Sequence, residues 1–232
     1  MLKIKNYCFN PFQENGYLIW DDTMEGVIID PGCINEGELE KVKKTIAEQG
    51  ISIKAIWLTH GHFDHIYGVR ALVENYGVPV RLSPEDKAIM DKFSDHARSF
   101  GMPAPDTSFG TLDIKDKDIL KFGETEFEVI STPGHTPGGV CFYDRKDKVL
   151  FSGDTLFAGA IGRTDLFMGE YDQLIVSLMD KVMGIDGEVK VFPGHGPSTD
   201  ISHERTHNPF LQPFKESPEE LDWDEEGLEI HG

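Results

Sequence analysis

Cysteine is scarce in this chain, and basic residues are outnumbered almost two to one by acidic ones. Cys8, Cys33 and Cys141 are scattered, form no Cys-x-x-Cys pair and stand within or beside apolar runs. They are too few for a disulfide framework and are expected to be buried thiols in a reducing compartment. No run of about eighteen apolar residues occurs, so no membrane-spanning helix is expected. The opening Met1–Phe9 alternates like a strand and lacks the apolar core and cleavage site of a secretory leader, so a cytoplasmic protein is expected. With 22 Lys and Arg against 41 Asp and Glu the net charge is −19, and no basic cluster interrupts it. Such a surface repels phosphate backbones and disfavours nucleic acid as substrate.

A length of 232 residues with 39% hydrophobic content suits one domain with a core of two layers. Residues 2–9, 16–20 and 25–30 read as strands, with Asn15-Gly16 and Glu25-Gly26 as turn signals. Helical spacing of Leu39, Val42 and Ile46 predicts a helix ending at Gln49, with Asn35 as N-cap and Gly50 as C-cap. A strand at 53–58 and a helix from about His65 to Tyr76 follow, and Ser83-Pro84-Glu85 opens another helix. The second half predicts strands at 119–122, 126–131, 138–143, 148–152 and 189–192. Helices are expected at Tyr171–Met183 and near Asp200–Thr206. From Lys215 to Gly232 there are eight acidic residues and one lysine, which reads as a solvated tail over 211–232, folded back through Leu221, Trp223 and Leu228.

The densest chemical signal is Thr59-His60-Gly61-His62-Phe63-Asp64-His65, directly after the apolar run Ile53–Leu58. His60 and His62 stand two apart on extended backbone and point the same way, so one cation can be gripped by both. Asp64 and His65 fall at the following turn, point elsewhere and can serve a second cation. Three more candidates follow β-rich runs at glycine-flanked turns: His135 in Pro133-Gly-His, Asp154 in Gly153-Asp-Thr and His195 in Pro193-Gly-His. Strands that end in tight turns present such residues at a sheet edge.

This series of His-x-His-x-Asp-His, Pro-Gly-His, Gly-Asp and a second Pro-Gly-His resembles the metallo-β-lactamase superfamily from about Tyr7 to Phe210. The resemblance implies an α/β protein folded as a four-layer αββα sandwich, occupying residues 1–210, with metals in a cleft along one edge of its sheets. Carried over, His60, His62 and His135 would hold the first metal, Asp64, His65 and His195 the second, and Asp154 both. The two carboxylates, Asp64 and Asp154, are the catalytic candidates. All seven donors are nitrogen or oxygen, a set that zinc accepts and that iron and manganese accept too. Two divalent ions are therefore expected, with zinc as the first candidate.

Two metals sharing Asp154 would bring a bridging water toward neutral pKa, so hydroxide becomes available without a separate base. A thiolate leaves without a general acid, which favours thioesters. The block Gly153-Asp-Thr-Leu-Phe-Ala-Gly-Ala-Ile-Gly-Arg163-Thr-Asp165 resembles the glyoxalase II group, the hydroxyacylglutathione hydrolases. The resemblance places Arg163 at a basic position that contacts the glutathione carboxylate, while Asp165 stands where an aromatic residue is usual. S-D-lactoylglutathione or a related acyl-thiol is the expected small-molecule substrate. Alternatively, Arg163 pairs with Asp165 as a structural residue. The 37 residues after His195 are too few for the helical domain of full-length glyoxalase II, and His203–Phe210 resembles the ending of the short bacterial glyoxalase II-like proteins. A mononuclear-iron persulfide dioxygenase is the alternative, then a lactonase or phosphodiesterase of the same fold. Antibiotic hydrolysis is not expected, because metallo-β-lactamases proper generally carry cysteine where Asp154 stands.

Overall fold

Alternating apolar residues build two sheets that share one interior. In the computed structural model, residues 1–212 are described. The first sheet comprises β1 (Lys3–Phe9), β2 (Glu14–Trp20), β3 (Glu25–Ile29), β4 (Ser52–Trp57), β5 (Val80–Leu82) and β6 (Thr111–Asp113), in that spatial order. Antiparallel β1–β3 give way to parallel pairing from β3 to β6. The second sheet uses β7 (Ile119–Phe122), β8 (Thr125–Ser131), β9 (Val140–Asp144) and β10 (Val149–Gly153). A hairpin of β11 (Leu156–Phe157) and β12 (Ala160–Ile161) follows, and β13 (Lys190–Pro193) and β14 (Thr199–Asp200) complete the second sheet, in the order β14-β13-β10-β9-β8-β7.

Strand periodicity sorts side chains into three cores. Tyr17, Ile19, Val27, Ile29 and Trp57 from the first sheet meet Phe127, Val129, Phe142 and Phe151 from the second. Their neighbours in sequence, Leu18, Trp20, Ile28 and Ile56, face the opposite way and pack under helices. Those helices are α1 (Glu36–Gln49) and α2 (Val69–Tyr76), followed by α3 (Lys87–Met90) and α4 (Phe93–Ser99). Cys141, Tyr143 and Leu150 likewise turn outward beneath α5 (Tyr171–Ser177) and α6 (Ile201–His207). Helix, sheet, sheet, helix is the expected αββα order. Leu211 is buried in this last core. The expected acidic stretch from Lys215, with Leu221, Trp223 and Leu228, lies outside the described residues.

Helix α1 follows its local signals: the Asn35 side chain accepts the Glu38 N–H, and Gly50 closes the helix at φ 69°. Other local signals were overruled. Asn15-Gly16 is not a turn but lies inside β2, paired with Cys8 and Tyr7; the chain reverses at Asn10–Gln13 instead. A side chain at Gly16 would meet the Phe9 ring and the Asp30 carbonyl at 2.5 and 2.6 Å, so glycine there serves close packing. Glu25-Gly26 likewise belongs to β3, and the turn is Asp21–Met24. The helix expected from His65 starts only at Val69, after a 3-10 turn at Phe63–His65. The Gly68 N–H is committed to the Pro31 carbonyl at 2.8 Å, which delays the helix and leaves Asp64 and His65 pointing inward. The helix opened by Ser83 breaks into a 3-10 turn, α3 and α4, and the segment expected at Tyr171–Met183 widens to π-helical turns at Leu178–Val182.

Candidate metal centre

Every candidate ligand lies just past the C-terminal end of a strand, along one edge shared by the two sheets. His60 and His62 follow β4, with Asp64 and His65 in the next turn; His135 follows β8, Asp154 follows β10 and His195 follows β13. The structure brings all seven together. Ligand-type atoms of His60, His62 and His135 lie within 4.8 Å of one another, as do those of Asp64, His65 and His195. Asp154 sits between the groups: Oδ1 is 3.5 Å from His65 Nε2, while Oδ2 is 3.4 Å from His135 Nε2 and 3.6 Å from His195 Nε2. The close packing needs Gly194, where a side chain would lie 2.2 Å from Asp154 Oδ1.

Nitrogens facing away from the centre are anchored by the protein. His135 Nδ1 donates to the Arg163 carbonyl at 2.7 Å, and His195 Nδ1 to the Phe12 carbonyl at 3.1 Å. His65 Nδ1 faces Asp30 Oδ2 at 3.2 Å. The Thr59 hydroxyl donates to Asp30 and stands 3.0 Å from His60 Nδ1, from which it can accept. These bonds fix the tautomers so that Nε2 lone pairs converge. His62 instead turns Nδ1 toward His135 Nε2, 2.9 Å away.

Buried polar atoms are normally paired. Here His60 Nε2, His62 Nε2, His65 Nε2 and Asp154 Oδ1 are buried without a hydrogen-bond partner among the described residues. The orphaned His60 Nε2, His65 Nε2 and Asp154 Oδ1, with His62 contributing its Nδ1 beside His135 Nε2, form a donor set that fits divalent cations. Electrostatics favour the same occupant. Burial and the neighbouring histidines hold His60 and His62 well below the ordinary imidazole range, which keeps them neutral. Burial works against protonated His65 and His195, yet Asp154 and Asp64 raise both above the ordinary imidazole range, the mark of a negative field that a cation would answer.

Several supporting residues carry no local signature. Asp86 is fully buried and accepts from the Gly61 N–H at 2.7 Å, the Gly138 N–H at 2.6 Å and the Thr136 hydroxyl at 2.8 Å. It thereby clamps the loop of His60 and His62 to that of His135. Asn15 donates to the Pro193 and Gly196 carbonyls and fixes the loop of His195. Asn10 donates to the Asp64 carbonyl at 2.8 Å. Glu14 is buried below His65, 3.7 Å from its Nδ1; burial and the nearby Asp30, Asp64 and Asp154 raise its carboxyl well above the ordinary range. Asp30 did have a signal: the run Val27-Ile-Ile29 before Asp30-Pro-Gly32 has the same strand-then-turn form as the ligand loops.

A cleft of about 340 Å³ opens onto the ligands. Phe12, Phe63, Phe100, Phe157, Ile161 and Leu166 give it apolar walls, and Arg163 stands at its rim. The Arg163 guanidinium is forked onto Asp165, Nε to Oδ1 at 2.7 Å and Nη2 to Oδ2 at 2.8 Å. His203 and His207 stack on exposed α6, apart from the seven ligands.

The metallo-β-lactamase superfamily profile matches residues 9–203. The chain is 39% identical to hydroxyacylglutathione hydrolase GloC of Haemophilus influenzae, covering 86% of this chain and 93% of that protein. Among solved structures, the B3 metallo-β-lactamase BLEG-1 superposes with a TM-score of 0.83 at 36% identity, covering 91% of this chain and 99% of the other. TTHA1623, in a di-iron-bound form, gives 0.80 at 37% identity, covering 89% and 100%. With its candidate ligand atoms gathered at the shared edge of an αββα sandwich, the chain belongs to the metallo-β-lactamase superfamily and is a metal-dependent hydrolase.

Proposed function

We propose that this protein hydrolyses thioesters of the acylglutathione type at a dinuclear metal centre. The observation that carries this is the placement of Asp154, whose two oxygens face the histidines of both ligand groups beside an apolar cleft. His60, His62 and His135 would hold one cation, Asp64, His65 and His195 the other, and Asp154 both. Zinc is the proposed metal; iron is supported by the likeness to TTHA1623. When bound, two such ions supply a nucleophilic water at neutral pH and polarise an acyl carbonyl.

The chain's own residues do the rest. The aromatic and aliphatic walls strip water from the acyl group and orient it over Asp64 and Asp154. A thiolate is a stable enough leaving group to depart without a protonated side chain. Arg163, at the rim, is the proposed contact for the thiol carrier. The likeness to GloC, named a hydroxyacylglutathione hydrolase, supports S-D-lactoylglutathione or a close relative. A net charge of −19 supports a small-molecule substrate over nucleic acid. Among the described residues no helix is long and apolar enough to cross a membrane, and we place the enzyme in the cytoplasm. Residues 1–210 are the proposed catalytic domain, with 211–232, apart from the buried Leu211, as a solubilising acidic tail.

The test combines elemental analysis with thiol release from S-D-lactoylglutathione. Two metals per chain and metal-dependent thiol release are expected. One iron per chain with oxygen uptake on glutathione persulfide would replace this function with a dioxygenase. Turnover of a β-lactam in place of every thioester would replace it with an antibiotic hydrolase.

A further inference from the structure

The cleft contains a cation whose charge is already answered. Among the described residues Arg163 is the one lysine or arginine lining it. Its backbone is pinned because the carbonyl receives His135 Nδ1, so the side chain starts from a fixed point beside the metal ligands. Its Nε–Nη2 edge is closed by both oxygens of Asp165. Two parallel charge-assisted bonds make this the strongest geometry open to a guanidinium and a carboxylate. The remaining lining is apolar or belongs to the metal centre, apart from His96, whose ring packs against His62, Phe63 and Phe100 on α4. A carboxylate entering the cleft therefore meets a neutral pair, inside a protein of charge −19.

We propose that Asp165 is a specificity-determining residue: by neutralising Arg163 it weakens binding of thioesters with anionic carriers and shifts selection toward carriers that are neutral near the rim. The inference rests on the thioester-hydrolase function proposed above and assigns that site its charge preference. The apolar walls supply binding to any carrier, whereas a free Arg163 would add binding only to a carboxylate. Asp165 is 69% exposed at its side chain and touches no metal ligand through that fork. Its removal therefore takes away a charge and breaks no direct contact with a candidate ligand. Lys92 lines an adjoining groove that shares His62 and His96 and also holds Asp95, and is a second cation for an extended carrier to meet.

The experiment compares two thioesters with one acyl group: S-D-lactoylglutathione, which carries carboxylates, and neutral S-lactoyl-N-acetylcysteamine. In Asp165→Asn and Asp165→Ala, KM for the glutathione thioester should fall by about threefold to tenfold, the effect of restoring one screened surface charge. The kcat values and the KM for the neutral thioester should stay within about twofold of the parent enzyme. The gain should shrink in about 0.5 M salt, where surface charges are screened. It should also vanish in the double variant R163A/D165N. A higher KM for the glutathione thioester in D165N would overturn the proposal and make Asp165 an orienting partner of Arg163. An unchanged KM in D165N with a raised KM in Lys92→Ala would also overturn it, placing the anion contact in the adjoining groove. If the parent enzyme cleaves neither thioester, the proposed function fails on its own. Calorimetric binding of S-methylglutathione, tighter in D165N than in the parent, then still decides the charge preference.

Discussion

Replacing Asp30 by asparagine measures how much of the metal centre is held from behind. Asp30 follows β3 at φ 45°, a conformation that asparagine also tolerates, so the backbone should survive the change. Its oxygens have separate tasks. Oδ1 accepts the buried Thr59 N–H at 2.8 Å, while Oδ2 accepts the Thr59 hydroxyl and faces His65 Nδ1 at 3.2 Å. Asparagine keeps the shape and loses one acceptor. Turned one way, its amide N–H₂ opposes the Thr59 N–H; turned the other way, it opposes the donor on His65 Nδ1. Either way a buried donor faces a donor, and His65 loses the carboxylate that holds its Nε2 toward the centre. Loss of a carboxylate behind a metal-ligating histidine costs about 10–100-fold in affinity, or about 1.4–2.7 kcal/mol. The second site should weaken by that factor. The first should weaken less, because His60 is reached only through the Thr59 hydroxyl. Zinc titration of metal-free protein against a chelating indicator resolves the two affinities, with the melting temperature as a control on folding. Parental affinity at both sites in D30N would refute the reasoning and leave His65 oriented by packing alone.

Asp154→Ala should lower occupancy of both metals, whereas His60→Ala and His195→Ala should each chiefly empty one site, as read by elemental analysis per chain. Asp86→Ala strands three buried donors at 2.6–2.8 Å. At about 1–3 kcal/mol for each, partly relieved by entering water, it should cost about 3 kcal/mol in denaturant unfolding. It should also lower first-site occupancy. The Arg163–Asp165 fork holds the exposed Asp165 carboxyl at about 2, below its ordinary value of 3.8. A lowered carboxyl keeps its pairing above the ordinary value and loses it only as pH falls through about 2. The KM effect of Asp165→Asn should therefore be flat from about pH 5 to about pH 9, and a KM effect that titrates in this window would point to another group. Chelation should abolish hydrolysis, and added metal should restore it.

The seven candidate ligands were legible in the sequence because each announces itself locally. A β-rich run, a glycine or proline turn and a residue of metal-ligating type stand within a few positions of one another at His60, His135, Asp154 and His195. Helix α1 was legible for the same reason, since Asn35, Gly50 and its apolar spacing are all contained in the helix and its caps. What only the tertiary structure decided depends on partners far away in the chain. Asp86 reaches Gly61 and Thr136 across 25 and 50 positions, and Asn15 reaches Pro193 across 178. The same distance explains the false turn at Asn15-Gly16, where the pull of Pro193 and Gly196 on Asn15 and the packing of Phe9 against Gly16 keep the strand straight. Arg163 and Asp165 are two positions apart, so their pairing was foreseeable as an option. Only the structure shows the guanidinium closed on Asp165, with the Arg163 carbonyl held by His135. Local residues specified which atoms could bind metal; long-range hydrogen bonds decided which way those atoms point.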